Sequence, residues 1–176
     1  MSVKYVESNQ LTTALIAMVI GLTTAGAAQA IDIINITSAN AVSYCQAALP
    51  VFDVQLRKRP LAVVNEGDAS AFVTCAFTRH GNSDSILTLL MFAQNTGANS
   101  QDLTCTLVAG VAGAADNQLV VKTVTLPPGQ PRQISWTGGD FSGGVVPDTQ
   151  YSMSCSLPPG IGLNDSYLSF FEDIGQ

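Results

Sequence analysis

The chain has 176 residues, of which 47% are hydrophobic and 11% charged, and its formal net charge is −6. An acidic surface repels phosphate backbones and anionic headgroups, so the composition argues against nucleic acid and acidic membranes as partners. A chain of this length and apolar content can form one domain with its own hydrophobic core.

The first thirty residues have the pattern of a secretory leader. A short polar opening precedes an apolar run over residues 11–22, and Ala28-Gln29-Ala30 has the small residues of a cleavage site. The apolar run is shorter than the roughly 20 residues of a bilayer-spanning helix. We therefore predict a signal peptide over residues 1–30 and a mature chain from Ile31 that forms one domain over residues 31–176. We expect a secreted or periplasmic protein that is not inserted in the membrane after cleavage.

The mature chain contains four cysteines: Cys45, Cys75, Cys105 and Cys155. An even number of cysteines in an exported chain indicates disulfides. Their wide spacing does not match zinc or redox motifs, whose ligands lie about two to four residues apart. Four cysteines allow three pairings, and we favour Cys45–Cys75 with Cys105–Cys155. No cofactor or metal is predicted.

A basic cluster, Arg57-Lys58-Arg59, follows the first cysteine and precedes a proline. It could contact an anion or a polysaccharide, but a solvated strand end or turn is the interpretation we favour. Asn65-x-Gly67 and Asn95-x-Gly97 then precede two cysteines at the same distance. Because Asn and Gly favour turns, we predict two hairpins of similar geometry and prefer this explanation to an internal duplication.

Helical periodicity is nearly absent, whereas apolar and polar residues alternate repeatedly. In residues 72–77, 103–107 and 153–157, the central cysteine shares its phase with apolar neighbours. Side chains in one phase of a strand lie on one face of the sheet, as covalent links across a sandwich core require. The pattern therefore predicts an antiparallel β-sandwich.

One predicted strand, residues 86–93, is apolar on both faces, although a sandwich strand normally exposes one face to water. We expect residues 31–50 to cover the second face. The alternative is a partner that binds there, which would be another protein or a second copy of the chain. One face carries Ile86, Leu90 and Phe92, and the other carries Leu87, Leu89, Met91 and Ala93. On the second of these faces, Leu87, Leu89 and Met91 are the candidate partner surface.

Residues 122–136 predict a strand, a Pro-Pro-Gly turn and a returning strand. These turns and strands resemble the immunoglobulin-like β-sandwich modules of bacterial exported and surface proteins. Through Pro60-Leu-Ala, Asn65-Glu-Gly67 and Phe72-Val-Thr-Cys75, the chain also resembles small two-disulfide exported proteins of proteobacteria without an assigned function. The resemblance covers residues 45–173 and implies an all-β, immunoglobulin-like antiparallel β-sandwich with two disulfides and no catalytic signature.

Candidate catalytic groups are few. The single histidine, His80, precedes a glycine in a predicted turn, and the serines lack the Gly-x-Ser-x-Gly pattern of a hydrolase nucleophile. A glycoside hydrolase needs two carboxylates about 5 to 10 Å apart. The available pairs are Glu66 with Asp68 and Glu172 with Asp173.

Two acidic loops, residues 65–68 and 138–143, supply oxygen ligands of the kind that calcium prefers. Neither has the regular spacing of a dedicated calcium loop. We therefore favour ordinary turn chemistry for both.

Aromatic rings on one exposed face would offer a platform for sugars. The candidates are Trp136, Tyr151, Tyr167, Phe170 and Phe171. Trp136 shares its strand phase with Ile134, which predicts a place in the core. Tyr167 and Phe171 share a phase on the last strand and are the candidate carbohydrate surface.

The sequence therefore predicts an exported, non-catalytic β-sandwich with a structural or recognition role. Its partner would be a protein or polysaccharide of the cell envelope or the exterior, and a homo-oligomer is compatible with the two-faced strand. The first alternative is a carbohydrate-binding module that uses Tyr167 and Phe171. The second, which we favour least, is a hydrolase built on Glu66, Asp68 or His80.

Overall fold

A computed structural model describes residues 32–77 and 83–173 of the chain. The predicted leader and His80 lie outside the described residues. A short helix, α1 (Ala41–Tyr44), follows the first strand, and none of the described helices is long and apolar enough to cross a membrane. The strands are β1 (Asp32–Asn40), β2 (Cys45–Ala47), β3 (Leu56–Arg59), β4 (Ala62–Asn65), β5 (Ala71–Ala76), β6 (Ser83–Asn95), β7 (Gln101–Ala109), β8 (Gln118–Leu126), β9 (Arg132–Thr137), β10 (Tyr151–Leu157) and β11 (Ile161–Asp173).

The strands form two antiparallel sheets that share one hydrophobic core, which confirms the predicted all-β sandwich. The six-stranded sheet has the order β3-β4-β11-β6-β9, with β1 paired to β11, and the five-stranded sheet has the order β2-β5-β10-β7-β8. The alternating segments predicted to be strands lie in β5, β7 and β10. In β10, for example, Met153 and Cys155 point into the core while Ser152 and Ser154 point away from it.

The order of the strands is that of a jelly roll. Among the eight strands from β4 to β11, β4 pairs with β11, β5 with β10, β6 with β9 and β7 with β8. This wrapping contains the two Greek keys of a jelly roll. It differs from the ABED and CFG sheets of an immunoglobulin domain. Turn motifs specify where the chain reverses, but they do not specify which distant strand it pairs with. They therefore did not distinguish the strand order of a jelly roll from that of an immunoglobulin domain.

Both predicted disulfides are present, Cys45–Cys75 between β2 and β5 and Cys105–Cys155 between β7 and β10. Within each pair the two cysteines lie directly opposite each other in adjacent antiparallel strands, with Cα atoms 4.1 Å apart. Both bonds therefore lie within the five-stranded sheet. The expectation that they connect the two sheets is wrong, because inward-facing cysteines on neighbouring strands are already within bonding distance.

The partner surface predicted on β6 is wrong for two of its three residues. Leu89 and Met91 are completely buried in the core, while Leu87 is half-buried next to an irregularity in the pairing of β6 with β11. The opposite face of β6 carries Leu90 and Phe92, both half-buried. The extra residue at the irregularity moves side chains on either side of it to different faces, which a strict alternation does not anticipate.

The expectation that residues 31–50 cover the second face of β6 is also wrong. β1 pairs edge to edge with β11 and widens the six-stranded sheet. Edge pairing gives the backbone of β1 regular hydrogen bonds, which a segment lying across a sheet face would lack. The following helix α1 inserts Ala41 into the core, where it is fully buried.

A buried asparagine fixes the turn after β4. The side-chain amide of Asn65 donates to the carbonyl oxygens of Leu157 at 2.7 Å and Ala69 at 2.8 Å. Its side-chain oxygen accepts the backbone N–H of Gly67 at 3.0 Å. The backbone oxygen of Asn65 accepts the N–H of Gly160 at 2.8 Å. One residue thus connects the β4–β5 turn to the β10–β11 turn.

A second asparagine repeats this arrangement after β6. The side-chain amide of Asn95 donates to the backbone carbonyl oxygens of Leu126 and Asn99 at 2.8 Å each. Its side-chain oxygen accepts the backbone N–H of Gly97 at 2.8 Å, and its backbone oxygen accepts the N–H of Gly129 at 2.8 Å. In both cases the distant partners are the first and last residues of a Leu-Pro-Pro-Gly segment. Both Asn-x-Gly segments form turns, and the turns share one hydrogen-bonding scheme. The predicted hairpins are wrong, because each turn joins a strand of the six-stranded sheet to a strand of the five-stranded sheet.

Candidate functional site

The outer face of the six-stranded sheet, defined as the side chains that point away from the core, carries the candidate site. Residues directly opposite each other in antiparallel strands lie on the same face. One row across this face consists of Arg57, Val64, Gly162 and Gln94, from β3, β4, β11 and β6. Gly162 has no side chain, and Val64 packs into the space that a Cβ atom there would occupy.

A pocket of about 620 Å³ opens at this end of the sheet. Its walls come from the β3–β4 hairpin, from the turn that Asn65 fixes and from the ends of β6 and β10–β11. A Cβ atom added at Gly162 would lie 3.0 Å from Cγ2 of Val64, so the close packing of β4 depends on this glycine. The pocket is lined by Arg59, Pro60, Leu61, Ala62, Val64, Asn65, Glu66, Gly67, Gln94, Thr96 and Gly160.

An ion pair on the pocket wall supplies its charged groups. Nη2 of Arg59 lies 2.5 Å from Oε1 of Glu66, and Nε donates to the same oxygen at 2.7 Å. Both side chains are solvent-exposed, so the pair is available to a ligand. Gln94 adds an amide to the lining, and Thr96 adds a hydroxyl that donates to the carbonyl of Gly160 at 2.8 Å. The pocket therefore combines apolar walls with a few polar groups, which is typical of small-molecule sites.

Two aromatic rings continue the outer face beyond the pocket. Phe92 lies two residues before Gln94 on the same face of β6, a distance of about 7 Å along the strand. Its ring contacts the ring of Tyr167, with centroids 5.4 Å apart and planes at 74°. Both side chains are half-buried. The aromatic pair is therefore held in place by its neighbours and still presents surface to solvent.

The outer face ends in an apolar patch along β11 and β1. Phe171 is half-buried and lies opposite Ile34, while Ile36 lies opposite Ser169 on the same face. The two predicted sugar-platform residues, Tyr167 and Phe171, are thus on one face, as their shared phase predicts. The structure separates them by one intervening position on that face and brings Phe92, not Phe171, into contact with Tyr167.

The other aromatic candidates are in the core. Trp136 is completely buried, as predicted, and its indole N–H donates to the carbonyl of Val120 at 3.2 Å. Phe170 and Tyr151 are also buried. The hydroxyl of Tyr151 donates to the carbonyl of Pro147.

The candidate carboxylates are dispersed among separate local contacts. Glu66 pairs with Arg59 in the pocket, whereas Asp68 is exposed in the following turn. Glu172 accepts a hydrogen bond from the Asn35 side chain, and the side chain of Asp173 lies outside the described residues. Among the described residues, no group of three or more His, Cys, Asp or Glu could hold a metal ion.

The second acidic loop has a structural role. Asp140 accepts from the backbone N–H of Thr137 at 2.8 Å and pairs with Lys122 at 2.7 Å. The hydrogen bond from Lys122 is the largest effect that lowers the pKa of the Asp140 carboxyl, and the Thr137 N–H acts in the same direction. This carboxylate caps a turn, which agrees with the turn chemistry that the sequence favoured.

The basic cluster forms the exposed edge strand β3. Lys58 donates to the carbonyl of Val42, and Arg57 donates to the carbonyls of Asp53 and Leu56. Only Arg59 reaches the pocket. The favoured interpretation of this cluster as a solvated strand agrees with the structure.

Sequence reasoning missed four residues of the site: Val64, Phe92, Gln94 and Gly162. The alternation of β6 does place Phe92 and Gln94 on one face, so that signal was present. What the sequence lacked was the pairing of β4, β11 and β6, which brings these residues into one row.

No family model and no curated protein matches the chain. Among solved structures, it is similar to the C-terminal CBM6 domain of a marine laminarinase from Zobellia galactanivorans, at 12% identity and a TM-score of 0.46, over 76% of this chain and 98% of that one. It is similar to the CBM22-2 xylan-binding domain of Paenibacillus barcinonensis Xyn10C, at 12% identity and a TM-score of 0.44, over 80% and 99% of the chains. It is also similar to the coat protein of Tobacco streak virus, at 13% identity and a TM-score of 0.38, over 80% and 88%. At these values no ligand or site residue is transferred to this chain.

Proposed function

We propose that this protein is an exported recognition domain that binds a polysaccharide chain along the outer face of the six-stranded sheet. The observation that carries the proposal is the continuity between the pocket and the aromatic pair. The pocket offers an exposed ion pair and an amide, and Phe92 and Tyr167 follow directly along the same face. A sugar ring has apolar C–H faces and a polar rim of hydroxyl groups, so it needs these two kinds of contact side by side.

Export is supported by two features. The leader pattern at the start of the chain predicts secretion, and disulfides such as the two buried here are typical of oxidising compartments. A polysaccharide of the cell envelope or the exterior is therefore accessible to the protein.

Binding without cleavage is the form of the proposal that the pocket favours. Hydrolysis of a glycosidic bond needs two carboxyl groups facing each other across the sugar. In the described part of the chain, the pocket lining contains one carboxylate, Glu66, and that group pairs with Arg59. We therefore expect retention of a polysaccharide with no release of reducing ends.

The test is co-sedimentation of the mature protein with a panel of insoluble neutral and acidic polysaccharides, together with Tyr167→Ala and Phe92→Ala. Stacking of a sugar on an aromatic ring contributes on the order of 1 kcal/mol, so each variant should bind several-fold to tenfold more weakly. Phe72→Ala is the matched control, because Phe72 is a solvent-exposed aromatic residue of β5 in the five-stranded sheet.

The control variant should bind like the unmodified protein. No retention on any polysaccharide, or equal loss in Phe72→Ala and Tyr167→Ala, would contradict the proposal. Retention only on envelope fractions that protease treatment abolishes would show a protein partner instead.

A further inference from the structure

We infer that two copies of this chain associate through β1, which pairs with β1 of a second copy in antiparallel orientation. The inference concerns the open edge of the sheet at β1, apart from the pocket and the aromatic pair, and either proposal stands without the other. It starts from the position of β1 at the edge of the six-stranded sheet. In the described part of the chain, β1 pairs with β11 alone, so its other side presents unpaired backbone N–H and C=O groups.

An open strand edge attracts another strand unless the sequence prevents it. Natural edges are protected by charges, prolines, bulges or short length. β1 has none of these over Ile33–Asn40, and its nine-residue register with β11 has no interruption. Its one charged residue, Asp32, lies at the very start of the strand.

The other edges of the two sheets do carry such protection. β3 has three consecutive cations, β2 has only three residues and β9 begins with Arg132. β8 is as long as β1, but Lys122 at its centre donates to the carbonyl of Ser135 in the other sheet and pairs with Asp140. The contrast distinguishes β1 from the remaining described edges.

Exposed apolar side chains on β1 supply the second argument. Ile34 and Ile36 are 61% and 65% exposed, and both lie on the outer face of the sheet. Burial of exposed branched aliphatic side chains between two strands stabilises their association. Lone exposed isoleucines are ordinary, but two on the same face of an open edge strand favour strand addition.

The sequence of β1 is complementary to itself, which identifies a second copy as the partner. In an antiparallel pair centred on Asn35, Ile34 of one copy faces Ile36 of the other, and Ile36 faces Ile34. In the same pair Asp32 faces Ser38, so no like charges meet. Directly opposed aliphatic residues are the favourable cross-strand pairs of an antiparallel sheet. A twofold axis through Asn35 closes the assembly as a dimer.

The experiment is sedimentation velocity of the mature chain over a range of concentrations. Edge pairing buries less surface than a standard protein interface, so we expect a reversible monomer–dimer equilibrium that shifts with concentration. The double variant Ile34→Lys/Ile36→Lys places lysines opposite each other in both of these cross-strand pairs. It should sediment as a monomer and raise the dissociation constant more than tenfold.

Val121→Lys is the matched control, since Val121 is 62% exposed on the other long edge strand, β8. It should leave the equilibrium unchanged. Thermal unfolding of the lysine variants checks that the monomer is folded, which we expect because the replaced side chains are exposed. A chain that is monomeric at every concentration, or a Val121→Lys variant that dissociates equally, would overturn the inference.

A cysteine at the axis tests the register independently of stability. In the proposed dimer residue 35 faces residue 35 of the other copy, so Asn35→Cys should form an intermolecular disulfide under mild oxidation. Ile33 faces Thr37, so Ile33→Cys should not. Equal crosslinking of the two variants, or none in Asn35→Cys, would contradict the pairing.

Discussion

At the scale of single residues, the two buried asparagines determine how the turns at one end of the molecule are arranged. Asn65 and Asn95 each satisfy two carbonyl oxygens and one N–H that the surrounding turns would otherwise leave without partners. Buried polar groups without partners cost about 1–3 kcal/mol each. Because Asn65 and Thr96 also line the pocket, these contacts position the site.

Replacing Asn95 with Asp should destabilise the protein by about 3 kcal/mol. The carboxylate cannot donate, so the carbonyls of Leu126 and Asn99 lose their donors. Chemical denaturation measures the change in the free energy of unfolding. The control is Asn99→Ala, because Asn99 is exposed and its backbone carbonyl, which the substitution keeps, is the group that accepts from Asn95.

The Asn99→Ala variant should remain within about 0.5 kcal/mol of the unmodified protein. Equal stability of Asn95→Asp and Asn99→Ala would show that the hydrogen bonds of Asn95 do not contribute to the fold.

At the scale of strands, the missing side chain of Gly162 on β11 lets Val64 of β4 pack directly against β11. An alanine there would place its Cβ 3.0 Å from Val64, so β4 would have to move slightly. A valine would displace Val64 further, and Val64 lines the pocket. This position therefore couples the packing of β4 to the shape of the site.

Gly162→Val should weaken polysaccharide retention by about tenfold or more, which corresponds to ~1.4 kcal/mol. The reason is displacement of Val64 in the pocket wall, not loss of the fold, so thermal unfolding is measured alongside retention. Gly139→Ala is the control, because no atom lies within 4 Å of a Cβ added there. Unchanged retention in a folded Gly162→Val variant would place the ligand elsewhere.

At the scale of the whole molecule, the disulfides and one ion pair hold different parts together. Both disulfides reinforce the five-stranded sheet from within. Lys122 extends from β8 of that sheet to the carbonyl of Ser135 and to Asp140 beside the six-stranded sheet. This contact therefore ties the two sheets at the edge formed by β8 and β9.

The ion pair predicts an acid-dependent stability. The pKa of Asp140 is lowered from its ordinary value of 3.8 in the folded protein, chiefly by the hydrogen bond from Lys122. A lowered pKa stabilises the folded state above the unfolded-state pKa, and this stabilisation disappears as the pH falls through the folded-state pKa. Asp140→Asn should therefore be less stable than the unmodified protein at pH 6, and the difference should shrink below pH ~4.

Equilibrium unfolding at several pH values measures this difference in the free energy of unfolding. Lys122→Met should also be less stable than the unmodified protein at pH 6, with a difference that shrinks at low pH. A gap between the unmodified protein and Asp140→Asn that stays constant from pH 6 to pH ~2 would contradict the assignment.

The sequence alone determined the β-sandwich class and the burial of Trp136. These two features depend on local information, because alternation and turn residues act within about ten positions along the chain. Among three possible cysteine pairings, the sequence favoured the one that the structure has. The same information placed Tyr167 and Phe171 on one face. It also indicated the two Asn-x-Gly turns, although not the distant Leu-Pro-Pro-Gly segments to which they bind.

The tertiary structure alone decided which strands are neighbours. Strand pairing depends on contacts between residues far apart in the chain, such as Val64 with Gly162, and the alternation within one strand does not specify them. For this reason the jelly-roll order, the burial of Leu89 and Met91, the edge position of β1 and the location of the disulfides within one sheet were not predictable. The pocket depends on the same pairing, since its lining comes from the β3–β4 hairpin, the end of β6 and the β10–β11 turn, which are far apart in the chain.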